Sequence, residues 1–514
     1  MNNPDGRLLR GRGPDLGPLC RRFELEQRTL LHLLDAQAQE RGDALWLVFD
    51  GRDRLTFGEA HGQVNAVGHA VRDAAGEGAH VALFMPNQVE WMPAFLGAMA
   101  ARGVAVPLNA ELRGPLLEFV LRKSESRVLI TRADLLDRLA AIDGIGDVEL
   151  VVATGDDDLP ETVHGAQVLR WRDWLAGRPT TDPCPRPHSS DVAQIQFTSG
   201  TTGESKGVIC PHHFLFLYSA LECETLEHPP GSVLTTPMPL YHAAALHLIA
   251  ASALQIGCVA HLKSRFSARA FWPQVAEDGA TFGIIFGPMA AILLKTADSA
   301  PPHRLTHMFC VPFPPNGEEF ERRFRTKLLW QGYGMTELMP HPMPRELIPD
   351  VPYHTIGHPV AWMEYGAVDE HDHLLPPGEV GELVYRSLVP NAMARGYFKA
   401  PEATATAFRN FMFHTGDLGF VDEEGRVHYL GRKRDRIRRR GENVSAAELE
   451  HIALQHDDVL EAAAYGVPGE LGEHEIKLDV ILRDGGCSLE ALHEWLRERL
   501  PRYMVPLYLE RRTS

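Results

Sequence analysis

The chain has 514 residues, 44% of them hydrophobic and 23% charged, which implies two to four structural units and excludes a single small binding module or a disordered chain. With 51 Lys and Arg against 68 Asp and Glu the formal charge is −17, which argues against a broad basic footprint for nucleic acid or anionic lipid. Seven cysteines, Cys20, Cys184, Cys210, Cys223, Cys258, Cys310 and Cys487, lie far apart without a Cys-x-x-Cys pair, so they read as reduced cytosolic thiols.

Residues 1–22 are rich in Arg, Gly and Pro and lack the apolar run of a signal peptide, so 1–27 reads as a flexible segment and the location as cytoplasmic. Over 28–136, amphipathic helical segments alternate with short apolar runs at 81–85, 104–107 and 128–131, the pattern of a doubly wound α/β unit. The loop-rich stretch 155–187 reads as a boundary. A second α/β unit then runs to about residue 360, with strands at 193–197 and 207–210 and helices near 213–226 and 268–277. Its most apolar stretch, 243–262, is interrupted by His247, Gln255, Gly257 and His261 and reads as a buried helix running into a strand, not a membrane span.

Between 364 and 429, strand-like pieces separated by turn signals such as Pro376-Pro377-Gly378 predict a small β-rich unit. A basic run over 431–441 then precedes helix 445–455, strands 459–467 and 477–482, and helix 488–500. The expected organisation is a large domain over 28–430, holding two doubly wound α/β units and the β-rich piece, then a small mobile α+β domain over 431–514.

The densest chemical signal is Thr198-Ser199-Gly200-Thr201-Thr202-Gly203-Glu204-Ser205-Lys206-Gly207. Four hydroxyls before Glu204, three glycines and one lysine lie between two predicted strands. Glycine lets backbone N–H groups approach phosphate oxygens, hydroxyls add donors, and the lysine supplies a compact positive charge. A flexible surface turn is the plain alternative, but such turns rarely combine these residues. The spacing is not that of a P-loop NTPase.

This segment resembles the signature loop of the adenylate-forming superfamily, which contains acyl-CoA synthetases, firefly-type luciferases and peptide-synthetase adenylation domains. Gln331-Gly332-Tyr333-Gly334-Met335-Thr336-Glu337 is similar to its nucleotide motif, and His414-Thr415-Gly416-Asp417 with Gly431-Arg432 to its ribose-binding pair. The motifs keep the family's order, and the resemblance spans about 30–509. The phrases at 267–272, 441–450 and 504–510 look closest to the carnitine- and crotonobetaine-CoA ligase branch.

The resemblance implies an ATP-dependent, AMP-forming acyl-CoA synthetase using Mg²⁺ and CoA: a carboxylate attacks the α-phosphate, pyrophosphate leaves, and a thiol displaces AMP. It implies that Thr198, Ser199, Gly200, Thr201, Thr202, Gly203 and Lys206 hold the outer phosphates and that Tyr333, with Gly334 and Met335, borders adenine. Thr336 would bond the α-phosphate, Glu337 would bind Mg²⁺, and Asp417 and Arg432 would hold the ribose. His242, in Pro239-Leu240-Tyr241-His242-Ala243, would gate the acyl pocket, whose walls are expected at 243–249 and 286–294 unless these simply pack as core. Arg434 occupies the family's pivot position, usually Lys or Asp, and Gly441, Glu442 and Asn443 match the loop that lines the thiol tunnel. Arg438 to Arg440 either meet CoA phosphates or form a solvated basic face. A quaternary ammonium substrate would call for an aromatic or acidic cage.

Two departures stand out. The Gly-rich strand edge expected before the nucleotide motif is replaced by 309–317, Phe-Cys-Val-Pro-Phe-Pro-Pro-Asn-Gly. The family's catalytic lysine follows a stretch like Tyr503-Met504-Val505-Pro506, whereas the last lysine here is Lys477, which points to truncation or loss more than to another cation. Two other functions stay open: adenylation of a small acid, nitrite included, for an amine or carrier-protein thiol, and a degenerate nucleotide-binding homologue.

Overall fold

A computed structural model describes residues 8–10, 16–198, 205–311, 313–314, 316–342, 344, 346–349, 351–352, 354–433, 436–439, 442–468, 474–500 and 504–512. The chain divides into two compact units, one of residues 12–347 and 387–405, the other of 1–11, 348–386 and 406–514.

The first unit holds two large sheets. One runs, in spatial order, Lys206–Pro211, Val192–Thr198, Val104–Pro107, His80–Phe84, Ser126–Arg132, Leu150–Thr154, Ala166–Arg170 and Thr162–Val163. It is parallel except for its two outermost pairings. The other runs Lys327–Leu329, His307–Val311, Phe282–Phe286, Val233–Thr236, Val259–Leu262, Leu45–Phe49 and Asp53–Thr56, antiparallel only at the last hairpin. Central strands are buried on both faces, as the solvent-excluded run Val81, Ala82, Leu83 and Phe84 illustrates.

The α/β reading holds, but the sheets do not follow chain order. The 45–56 hairpin joins the second sheet, through pairing of Leu47, Val48 and Phe49 with Ala260, His261 and Leu262, and strand Val192–Thr198 joins the first, through Gln194 opposite Ala105. Pattern along the chain reports which segments are buried strands, not which sheet each extends. The stretch 155–187, read as loop, contains Thr162–Val163, Ala166–Arg170 and the helix Trp171–Leu175, elements too short for a clear period. Within 243–262 the helix is interrupted by a π turn at Leu246–Ala251, where the Ser252 N–H reaches the His247 carbonyl, and strand Val259–Leu262 follows. No helix among the described residues is long and apolar enough to cross a membrane.

In parallel sheets, ligands gather beyond the carboxyl ends of the strands. Here Asn87, fully buried beyond the end of His80–Phe84, fastens two such ends together. Its Nδ2 donates to the Met238 and Lys263 carbonyls at 2.8 and 2.9 Å, and its Oδ1 accepts from the Leu240 N–H at 2.7 Å. Met238 and Leu240 lead directly to His242, so one amide fixes that loop.

The second unit contains a sheet ordered Leu9–Arg10, Met363–Val368, Gly381–Ser387, Phe413–Val421, Val427–Arg432 and Thr355–Gly357. The segment read as flexible thus carries an edge strand at Leu9–Arg10, paired with Tyr365 and Glu364, and farther on a short helix, Gly17–Arg21, belonging to the first unit. The C-terminal part pairs Val459–Pro468, His474–Leu482 and Tyr508–Arg511, with helices Ala446–Leu454 and Leu489–Arg499 supplying Leu449, Leu492 and Leu496 to its core.

Asn87→Ala strands two carbonyls and one N–H in a buried site. It is expected to lower unfolding free energy by about 3 kcal/mol, read as a fall in the urea midpoint at unchanged slope.

Candidate active site

The hairpin that carries the hydroxyl-rich loop ends with Thr198 opposite Lys206. Ser199, Gly200, Thr201, Thr202 and Gly203 lie outside the described residues. At Gly207 a Cβ would sit 2.7 Å from Cγ2 of Ile195, so only glycine lets this backbone lie against its neighbour strand.

The outer edge of Lys206–Pro211 is also occupied. Phe398 N–H donates to the Gly207 carbonyl at 2.7 Å, Arg395 N–H to the Ile209 carbonyl at 2.9 Å, and Ile209 N–H to the Gly396 carbonyl at 3.0 Å. This strap, 394–398, puts the Tyr397 ring beneath Lys206, whose Nζ lies 5.1 Å from the ring centroid.

In the nucleotide motif, Tyr333–Met335 pairs antiparallel with Leu338–His341, with an irregularity between Tyr333 and Met335. The half-buried Tyr333 meets the His341 ring edge-on at 6.1 Å, and Gly334 is exposed. Thr336 is half-buried, its carbonyl 3.9 Å from Sγ of Cys210 on the phosphate-loop strand. Glu337 is buried, yet its side chain receives the Tyr397 hydroxyl at Oε1, 2.8 Å away, while the Ala394 N–H donates to its carbonyl at 2.8 Å. Burial, reinforced by the Glu337 charge, pushes the Tyr397 phenol far above its ordinary pKa, so it remains a donor throughout the working range.

His242 opens the 243–256 helical stretch and stands between Tyr241, 4.7 Å away ring to ring, and Phe286 at 6.4 Å. One side of its imidazole is open to solvent, while the atoms packed around the rest hold its pKa below the usual value. Deeper in the same unit His247 lies against Tyr218, with ring centroids 5.0 Å apart, and burial drops its pKa to about 3, keeping it neutral. One helical turn beyond Tyr218 is Glu222, a carboxylate with no exposed surface. A Cβ on Gly334 would meet the Tyr218 hydroxyl at 3.3 Å, so this interior group lies directly behind the nucleotide motif.

The ribose-type motif lies in the second unit. Asp417 and Arg432 are opposite each other on paired strands, and Arg432 Nε lies 3.1 Å from Oδ1 of the buried Asp417. The preceding turn is held by Glu382, which accepts the Gly416 N–H at 3.0 Å, where φ is +72°. Glu382 also meets Lys433 at 3.0 Å, Arg409 at 3.3 Å and His414 at 3.5 Å. Burial opposes ionisation of Glu382, but the hydrogen bonds from His414 and Lys433 and the Lys433 charge prevail and hold its pKa at about 2.

The AMP-binding enzyme family matches residues 34–398, and its C-terminal domain matches 448–512. The chain belongs to the AMP-binding enzyme family. A crotonobetaine/carnitine–CoA ligase of Salmonella arizonae is 31% identical over 454 residues, 84% of this chain and 85% of that protein. The ligase of the same name from Salmonella agona is 29% identical over 515 residues, covering 95% and 96%. Among solved structures, the anthranilate CoA ligase AuaEII in complex with anthranoyl-AMP aligns at a TM-score of 0.87 and 23% identity, over 97% of this chain and 95% of that one. ATP-bound MatB from Rhodopseudomonas palustris aligns at 0.83 and 23%, over 95% of each chain. The fold of this AMP-binding enzyme is therefore that of the adenylate-forming enzymes.

Within the family frame, Lys206 and Glu337 meet at Tyr397, and Asp417 meets Arg432. Arg434 and Gly441 lie outside the described residues; Glu442 and Asn443 lie on strand Glu442–Ser445, paired through the backbone with Arg439 and Arg438. In the divergent 309–317 stretch the Phe313 ring takes the space beside Gly317, where a Cβ would fall 2.1 Å from it. Lys477 is engaged by Glu510 at 2.5 Å and Asp479 at 3.5 Å. Tyr397, Asn87, Glu382 and Glu222 escape sequence reading because their partners lie tens of residues away or carry no periodic signal.

A carboxylate depressed in the folded state contributes stability above its unfolded pKa and loses it as pH falls through the folded value. Glu382→Gln is therefore expected to be less stable by roughly 3 kcal/mol at pH 7, with the deficit shrinking from about pH 4.5 and gone near pH 2. Urea midpoints of both proteins across that pH range check it.

Proposed function

We propose that this enzyme activates a small carboxylic acid bearing an ammonium group, forming its acyl-adenylate from ATP and then its CoA thioester. The carrying observation is that Lys206 and Glu337, an anion binder and a hard oxygen donor, share one aromatic contact in Tyr397. That is the pairing a triphosphate with its divalent cation needs. Family membership and the CoA-ligase relatives support the same overall activity, acid activation followed by transfer to CoA.

In the first step an oxygen of the acid carboxylate attacks the α-phosphorus, and the bond to the bridging oxygen breaks as pyrophosphate departs. Lys206, with the hydroxyl-rich loop, receives the outer phosphates, Tyr333 borders adenine, and Thr336 bonds the α-phosphate. Asp417 accepts from the ribose hydroxyls and Arg432 orients Asp417, charge-assisted bonds of roughly 1.5–3 kcal/mol each. Glu337 fits a Mg²⁺ ligand, since a buried carboxylate is a hard oxygen donor and the Tyr397 hydroxyl holds its Oε1 in place. Bound there, Mg²⁺ supplies neutralisation of charge on the leaving pyrophosphate.

In the second step the CoA sulfur attacks the acyl carbonyl, AMP leaves with the former carboxylate oxygen, and the thiol proton passes to solvent. His242, neutral by virtue of its lowered pKa, borders the acyl group without charging it. Arg434 serves as pivot, and Gly441, Glu442 and Asn443 as the thiol-side loop. The choice of acid rests on the names of the relatives and on Tyr218, His247 and Glu222, an aromatic and acidic group suited to a cation.

Pyrophosphate release with Mg-ATP, with and without CoA and followed by mass spectrometry, tests this. Crotonobetaine or carnitine is expected to give pyrophosphate and a thioester, with kcat/KM about 100-fold above that of the tert-butyl isostere, a margin that shrinks in Glu222→Gln. Equal use of the neutral isostere would overturn the substrate assignment, and turnover of nitrite with an amine but not CoA would overturn the ligase reading.

A further inference from the structure

Tyr397 lies outside every motif that carries the reading above, yet its side chain touches both Glu337 and Lys206. Its hydroxyl donates to Oε1 of Glu337 at 2.8 Å, and its ring carries the Lys206 ammonium 5.1 Å from the centroid. The backbone fixes the ring from both sides. Tyr397 bridges to Val208 on the phosphate-loop strand, Phe398 N–H donates to Gly207, and Ala394 N–H donates to the Glu337 carbonyl.

We infer that Tyr397 is a positioning residue for adenylation, holding the Glu337 carboxylate in one rotamer and seating the Lys206 ammonium at a set distance from it. The inference rests on the proposed roles of Glu337 and Lys206. The two contacts use different parts of one side chain and are separable. The hydroxyl bond leaves the carboxylate charged while restricting its rotation, so a cation meets a pre-oriented ligand and loses less freedom on binding. The ring face attracts the ammonium without neutralising it, which keeps the lysine away from direct pairing with Glu337 before nucleotide arrives. An ammonium paired to the carboxylate would compete with the divalent cation for it.

The test compares Tyr397→Phe, Tyr397→Leu, Glu337→Gln and the double variant Tyr397→Phe/Glu337→Gln by acid-dependent pyrophosphate release, titrating Mg²⁺ and ATP separately, and by the Mg²⁺ dependence of ATP binding measured calorimetrically without acid, with thermal unfolding as the check on folding. Tyr397→Phe keeps the ring and is expected to raise the Mg²⁺ concentration for half-maximal rate about 10-fold while ATP KM changes less than about 2-fold. Tyr397→Leu is expected to add a rise of about 5- to 10-fold in ATP KM. In the Glu337→Gln background, Tyr397→Phe is expected to add no further shift in Mg²⁺ dependence, a coupling that general loosening would not produce.

If Glu337→Gln shifts the Mg²⁺ requirement and Tyr397→Phe does not, the positioning role is overturned while the reading of Glu337 stands. If Glu337→Gln itself leaves Mg²⁺ dependence unchanged, the metal-ligand reading falls, and the hydroxyl's role falls with it. Equal effects of the Phe and Leu variants on ATP KM would overturn the seat for Lys206.

Discussion

The site depends on the outer edge of one strand. Lys206–Pro211 is hydrogen-bonded on one side to Val192–Thr198 and on the other to the strap at 394–398, so the residues flanking the phosphate loop are held from both edges. An unpaired edge would leave its N–H and C=O groups to water and its register to slippage. Because the strap also bonds to the backbone of Glu337, three segments far apart in sequence become one local scaffold. Gly207 makes this possible by lying flush against Ile195.

The same logic recurs in the other parts of the chain. Asn87 ties the ends of strands from two sheets with three buried hydrogen bonds, and Glu382 ties the turn before Asp417 with one backbone bond and a cluster of cations. In each case a polar side chain that takes no part in the reaction holds the backbone that presents one that does. Buried groups of this kind are expensive to leave unpaired, so their full satisfaction makes the loops around them specific in shape. The buried cysteines illustrate the opposite case: burial pushes Cys20, Cys210 and Cys310 up to about 12, leaving them thiols.

Much of the fold was legible in the sequence. Strand Val104–Pro107 matches its apolar run residue for residue, and the helices His212–Leu226 and Ala446–Leu454 fall within a residue of the segments expected at 213–226 and 445–455. The family motifs were legible because Gly, Thr and Lys at fixed spacing have few other uses. What escaped was pairing between distant segments. The exchange of strands between the two large sheets, the edge strand at Leu9–Arg10, and the contact of Tyr397 with Glu337 all join residues 60 or more positions apart. Local pattern carries no record of such partners. The divergent 309–317 stretch likewise became intelligible only once Phe313 was seen beside Gly317.

Acyl-adenylate formation requires that the acid's own oxygen attack the α-phosphorus. A single turnover with acid labelled by ¹⁸O in both carboxylate positions, ATP and CoA tests it most directly. One labelled oxygen in AMP and one in the thioester is the predicted result. Label in inorganic phosphate accompanied by ADP, the mark of an acyl-phosphate route, would contradict the account.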